Sequence, residues 1–326
     1  MKPNTDLIFG HYSSESLPIP GLRAWDLEGK SIKKKLKRTK EWLIETAMMF
    51  AALASILVTL GILGTLVVES IPFFKQVPLK EFFMGTVWTP LFSDAHYGIL
   101  PLISGTLTTT LVALSVAIPC GTIISVYLSE YAHPRVREIL KPLLELLSAV
   151  PTVVYGYFAL MFVTPALQKL FPDLSGFNML GAGLVMGVMI IPYISSLSED
   201  AMRAVPMNLR EGSYAMGATR LQTALKVVYP AAFSGITASY ILGISRAIGE
   251  TMVVAIAAGM QPNFSFNPSQ PTETITAYIV QVSMGDLPHG SLGYQTIFVA
   301  GLTLLFMTFG FNIFGAYLRN RFKETY

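Results

Sequence analysis

Long apolar runs, divided by short polar stretches, recur along this chain. They predict six helical spans, at 42–68, 102–128, 143–163, 180–198, 233–259 and 296–318. A hydrocarbon core about 30 Å thick takes about 20 apolar residues of helix to cross, and each run is long enough or nearly so. The expected fold class is therefore all-α: a polytopic membrane protein with one integral domain over 42–318, flanked by tails 1–41 and 319–326. Composition agrees, since 52% of the residues are hydrophobic and 13% charged, against about 25% charged in a soluble globular domain.

The distribution of basic residues sets an expected orientation. With six spans, both tails and the loops after the second and fourth spans share one side. They hold 19 of the 23 Lys and Arg, whereas Lys75, Lys80 and Lys169 stand opposite. The positive-inside rule then puts both termini in the cytoplasm. About forty polar residues precede the first apolar run, which argues against a cleaved signal peptide, and residues 1–31 are expected to be loosely ordered. A single cysteine, Cys120, excludes an intrachain disulfide and a thiolate metal site. No cofactor or metal is implied, and a net charge of +3 gives no reason to expect nucleic acid.

Within the spans, Pro119, Pro151 and Pro192 predict kinks, and Gly183 with Gly187 would let another helix approach closely. The loop 261–295 lacks Lys and Arg, and its middle, 272–284, reads either as a short helix at the bundle mouth or as plain surface loop.

The loop 204–231 carries the first functional pattern. It reads as helix, turn, helix: Asn208 with Glu211 and Thr219 with Gln222 have capping-box spacing, and Gly217 supplies the turn. Leu221, Ala224, Leu225 and Val228 give the second helix one apolar face. Such a pair suits docking in another protein's groove, or lying on the membrane surface.

The second pattern is a charged pair inside the fifth span. Arg246 lies thirteen residues from each end of 233–259, near the expected midplane, with Glu250 one turn on. Burying either charge in lipid is costly, so a local salt bridge is the simplest explanation. Two features point beyond it. Arg before Glu is the weaker order for a pair within one helix. Gly235, Ser239, Gly243, Ala247, Thr251, Ala255 and Gly259 form a small-residue seam that leaves the arginine on an interior-capable edge. A guanidinium fork matches phosphate oxygens, and Glu250 would hold the arginine when no anion is present.

The loop resembles the signature of ABC importer permeases, E-A-A, three residues, G, nine residues, I-x-L-P. Glu211, Gly217, Val227, Tyr229 and Pro230 keep that register. Gly212 and Ser213 stand for the two alanines, and Tyr229 adds a hydroxyl where the family has an apolar residue. The run from Gly243 through Arg246, Gly249 and Glu250 to Met252 is similar to the phosphate permeases, the PstC type in particular. Tyr97 to Pro101, Ala149 to Gly156 and Ile190 to Tyr193 support this.

The resemblance implies a type I ABC importer permease fold and ATP-driven uptake of inorganic phosphate. Arg246 and Glu250 would be at the substrate, and Glu211, Gly217, Ala218 and Thr219 would be in the coupling helix on the ATPase. It implies a PstA-like permease partner, a PstB-like ATPase dimer and a PstS-like phosphate-binding protein. No G-x-x-x-x-G-K-[ST] phosphate loop is present, so nucleotide is expected to bind elsewhere and the chain is not expected to be an enzyme. The competing readings are a permease for another oxyanion, an anion channel, and an intramembrane enzyme. His11, His96, His133 and His289 all lie outside the spans, which argues against the last.

Overall fold

The computed structural model describes residues 24–321, so most of the expected loose N-terminal segment, 1–23, and the last residues, 322–326, lie outside the described residues. From Ala24 onward the chain is already helical. The stretch 24–31, expected to be loose, belongs to the first helix. Among the described residues there is no β-strand, only an isolated bridge between Trp88 and Tyr97.

In chain order the helices are α1 (Ala24–Gln76), α2 (Leu79–Met84), α3 (Leu100–Val126), α4 (Pro134–Ala149), α5 (Thr152–Phe158), α6 (Thr164–Gln168) and α7 (Met179–Arg203). They continue as α8 (Met207–Ala215), α9 (Arg220–Thr223), α10 (Tyr229–Ala231), α11 (Phe233–Ile248), α12 (Met252–Ala257), α13 (Ile275–Ser283) and α14 (Leu292–Arg321). π-helical turns at Tyr127–Tyr131, Ala159–Val163 and Ala224–Val228 interrupt them. The chain divides into two units, 1–63 and 64–326. In the described part of the first, residues 37–63 of α1 are almost all exposed and strongly apolar, as lipid-facing helix requires.

Among the described residues, four helices are long and apolar enough to cross a membrane, and two bent pairs raise that to as many as six. Two expected spans are not straight. The span drawn at 143–163 is bent by 86° between Ala149 and Thr152. Pro151 disfavours helical backbone at the residue before it, and Val150 is extended there. The span drawn at 233–259 ends at Ile248, and its own entry from the preceding helices is bent by 74°. Pro119 and Pro192, by contrast, remain inside α3 and α7.

The second unit is centred on α3 against α7. A side chain at Gly183 or Gly187 would meet Val112 or the Ala113 carbonyl at 2.7 Å, so the two backbones touch where the small pair was expected to permit it. Around this contact Ala117, Met186, Ile190, Ile194, Val254 and Ala277 form one core. At the far end of α3 a second core, rich in aromatic rings, gathers Phe73, Phe82, Trp88 and Tyr278. Of the alternatives for 272–284, the helix is present: α13 buries Ile275, Ala277, Tyr278 and Val282.

The hairpin-like turn that carries Trp88 depends on two glycines whose backbones cross. A methyl at Gly98 would collide with the Gly85 backbone. Gly98→Ala should therefore destabilise the chain by about 1–3 kcal/mol; a thermal melt in detergent equal to that of the unmutated chain would contradict this crossing.

Candidate functional site

Helix α11 lies on α7 through its small residues. Ser239 hydrogen-bonds Ser198 at 2.6 Å, a side chain at Gly235 would run into Ala201, and Gly243 sits against Ile190 and Ile194. This much of the expected seam is real. At Gly249 the helix stops, and Thr251, Ala255 and Gly259 no longer continue the same face.

The break explains the charged pair. Ending α11 leaves carbonyl oxygens unpaired, and starting α12 leaves amides unpaired, each end carrying a partial charge of about half an elementary unit. Arg246 lies in the last turn of α11, at the negative end. Glu250 lies at the start of α12, and its Oε1 accepts from the amides of Met252 and Val253 at 3.1 and 3.4 Å. The order Arg before Glu, unfavourable inside one continuous helix, is thus the order that two half-helices favour. It ceases to be an argument for a transport role. Thr276 of α13 donates to the Glu250 carbonyl at 2.6 Å, which holds the break from the other side.

The two partners are not equivalent. The Glu250 side chain is 3% exposed and the Arg246 side chain 40%. Their nearest charged atoms are 3.7 Å apart, and the arginine lies over the Tyr193 ring at 5.8 Å. Among the described residues the guanidinium makes no hydrogen bond. The site therefore presents a cation with its donors unengaged, beside an aromatic face and a buried carboxylate already committed to a helix end. Tyr193 and Thr276 were not expected at this site. The Gly-Glu-Thr that precedes an apolar run was the available signal for a helix start.

The second group of residues lies at the other end of the unit. The capping box at Thr219 and Gln222 forms in both directions, at 2.9 and 3.3 Å, and Gly217 takes a positive φ of 79° in the turn. The box expected at Asn208 and Glu211 does not form. Pro206 is the residue before α8, and Asn208 is already inside the helix. Glu211, Gly217 and Thr219 are exposed, and Ala218 is half-buried. The apolar face expected of the second helix is split: Ala224 and Val228 are buried, whereas Leu221 and Leu225 are 53% and 52% exposed. The π turn that runs through Ala224–Val228 shifts the register and separates them. Tyr229 puts its hydroxyl 3.2 Å from that of Tyr240 on α11, which in turn meets Thr122 on α3 at 2.6 Å.

Arg210, the residue before Glu211, was missed. It is buried, and it donates to the Met202 and Val205 carbonyls at 2.8 and 2.6 Å, where α7 ends. The same guanidinium reaches Glu130, in the π turn after α3, at 3.1 Å. One side chain in α8 thereby ties the ends of α3 and α7 together. Nearby, Lys141 of α4 bridges Glu199 and Asp200 of α7 at 2.7 and 2.6 Å. Spacing along the chain carries no trace of either link, since the partners are 80 and 58 residues apart.

The fold is that of an importer permease. The chain matches, over residues 117–324, the family of binding-protein-dependent transport system inner membrane components, and it belongs to that family. Two solved structures share the fold at 16% identity. One is a bacterial ABC transporter for import of the polysaccharide alginate, with a TM-score of 0.61 over 90% of this chain and all of the other. The second is the inward-facing MetNI methionine ABC transporter, with 0.51 over 70% of this chain and 95% of the other.

Among curated relatives, a probable ABC transporter permease, YqgH of Bacillus subtilis, is 36% identical over 89% of this chain and 93% of its own length. The phosphate transport system permease protein PstC of Haemophilus influenzae is 33% identical over 69% of this chain and 77% of its own. The chain is thus an ABC importer permease similar to the PstC type, a component of the inner membrane. Permeases of this kind are transport components, not enzymes, and work with an ATPase and a substrate-binding protein.

Removing one member of a buried ion pair strands the other, at a cost of about 3–5 kcal/mol. Glu130→Gln and Arg210→Gln should each lower the thermal stability of the chain by that order, and the double variant by clearly less than the sum. Additive losses would show that the two side chains do not act as a pair. Glu250→Ala should cost about 0.5–2 kcal/mol through loss of the α12 cap, read in the same melts.

Proposed function

We propose that this chain is the permease half of an ATP-driven importer of inorganic phosphate, and that Arg246 contacts the anion as it passes. The observation that supports this most directly is the state of Arg246: a guanidinium with unengaged donors and 40% exposure, set at a break between half-helices. A planar fork of donors suits phosphate oxygens better than a point charge does. Glu250 would partly neutralise the arginine between passages, while its other oxygen keeps α12 capped.

In this reading the second permease is PstA-like and completes the pathway on the exposed side of Arg246. A PstB-like ATPase dimer seats the segment containing Glu211, Gly217, Ala218 and Thr219. A PstS-like protein delivers phosphate at the opposite face. Both termini are cytoplasmic, in keeping with the basic residues on that side. Closure of the ATPase dimer would move α8, and the Arg210 link would carry that movement into the ends of α3 and α7. The importer would then shift between two populated states, open to either side.

Uptake of radiolabelled phosphate into proteoliposomes holding the four components tests the proposal. Uptake should require ATP, resist competition by sulfate and molybdate, and be lost in Arg246→Gln while ATP hydrolysis persists. Equal uptake by the variant would reduce Arg246 to a structural residue, and uptake of another solute would overturn the substrate.

A further inference from the structure

At the end of α3 opposite Glu130, the loop before α3, the segment after α12 and helix α13 enclose a cavity of about 400 Å³. Its floor is Trp88, Glu273 and Tyr278, each 1% exposed. Its rim mixes apolar and neutral polar side chains: Leu91, Phe92 and Met260 are 42%, 68% and 40% exposed, and Gln261, Asn263 and Gln281 lie beside them.

One polar atom of the floor has no hydrogen-bond partner among the described residues, Glu273 Oε1, whereas the Trp88 indole N–H faces the Tyr278 hydroxyl. A buried acceptor left open in a cavity is costly unless something fills it. Burial alone pushes the Glu273 carboxyl up to about 8. The titratable neighbours are Tyr278 from α13 and Tyr97 from the segment entering α3, with Glu81 of α2 beyond it. No Lys or Arg lines the cavity, and none occurs anywhere in 261–295. Among the described residues, the cavity's own lining supplies no cation. Phosphate, an anion, is the wrong charge for this floor.

We propose that the cavity is a socket for an arginine side chain presented by the soluble binding protein that meets this face. The inference rests on the proposed importer for the existence of that partner. A guanidinium satisfies the open carboxyl oxygen and stacks on the aromatic floor. The exposed Phe92 and Leu91 form the apolar part of the rim and shield the charge pair from water on that side. Docking recruits the ionised form of Glu273. Below pH 8 it therefore releases a proton, and affinity rises with pH.

The affinity of the purified phosphate-binding protein for the complete importer in nanodiscs, measured from pH 6 to 9, decides this. Wild-type affinity should rise by up to about tenfold per pH unit and level off above pH 8. Glu273→Gln should weaken it at least about tenfold at high pH and flatten the profile. Gln281→Arg, which places a cation in the socket from this chain, should do the same. The melting profile of each variant complex is the folding control.

An unchanged affinity and pH profile in either variant overturns the socket. So does a loss of permease pairing in Glu273→Gln with binding-protein affinity intact, since the partner permease would then be the occupant. If the phosphate-binding protein fails to bind the wild-type importer, the phosphate reading falls. The socket is then judged by ethylguanidinium, titrated onto the importer and read from Trp88 fluorescence with Trp88→Phe as blank. Saturable quenching lost in Glu273→Gln supports it, and no quenching overturns it.

Discussion

A helix that ends within a membrane bundle leaves backbone amides and carbonyls that lipid cannot satisfy. In this protein the break at 249–251 is the constraint on which the central site depends. Glu250 satisfies the amides at the start of α12, Thr276 donates to the Glu250 carbonyl from α13, and Arg246 opposes the dipole at the end of α11. Each charge is held by a half-helix end more than by the other charge, and so the pair tolerates a 3.7 Å gap. That gap leaves the arginine's donors available.

The same economy appears at the opposite end. Helix α7 ends at Arg203, and Arg210 adds to the local turn there by donating to the Met202 carbonyl, while its other donors go to the Val205 carbonyl and to Glu130. Arg210 thereby joins the end of α7 to α8 and to the π turn after α3. The Tyr229, Tyr240 and Thr122 hydroxyls make a parallel link from α10 to α11 and α3. Tyr229 therefore has a use at a position where the family pattern carries an apolar residue.

Much of the fold was legible in the order of residues because lipid imposes a length and a polarity on every spanning helix. The turn between α8 and α9 was legible too: the Gly217 turn and the Thr219 box involve neighbours within four residues. What failed were the places where a local rule met a competing one. Asn208 and Glu211 have box spacing, but Pro206 starts the helix earlier. The face from Leu221 to Val228 was drawn on a period of 3.6 and is broken by a π turn. The straight span through 233–259 ignored that Gly249-Glu250-Thr251 can serve as a helix start.

The sequence by itself determined the polytopic all-α fold class, the spans to within their breaks, the helix-turn-helix loop 204–231 and the presence of Arg246 and Glu250. Those features depend on hydrophobic run length and on spacings of a few residues. Only the tertiary structure decided that Arg246 is accessible while Glu250 caps a helix, that Arg210 binds Glu130, and that Glu273 lies unpaired beneath an open cavity. These depend on which distant segments meet. Burial, more than residue type, sets what a charge in a low-dielectric interior must do.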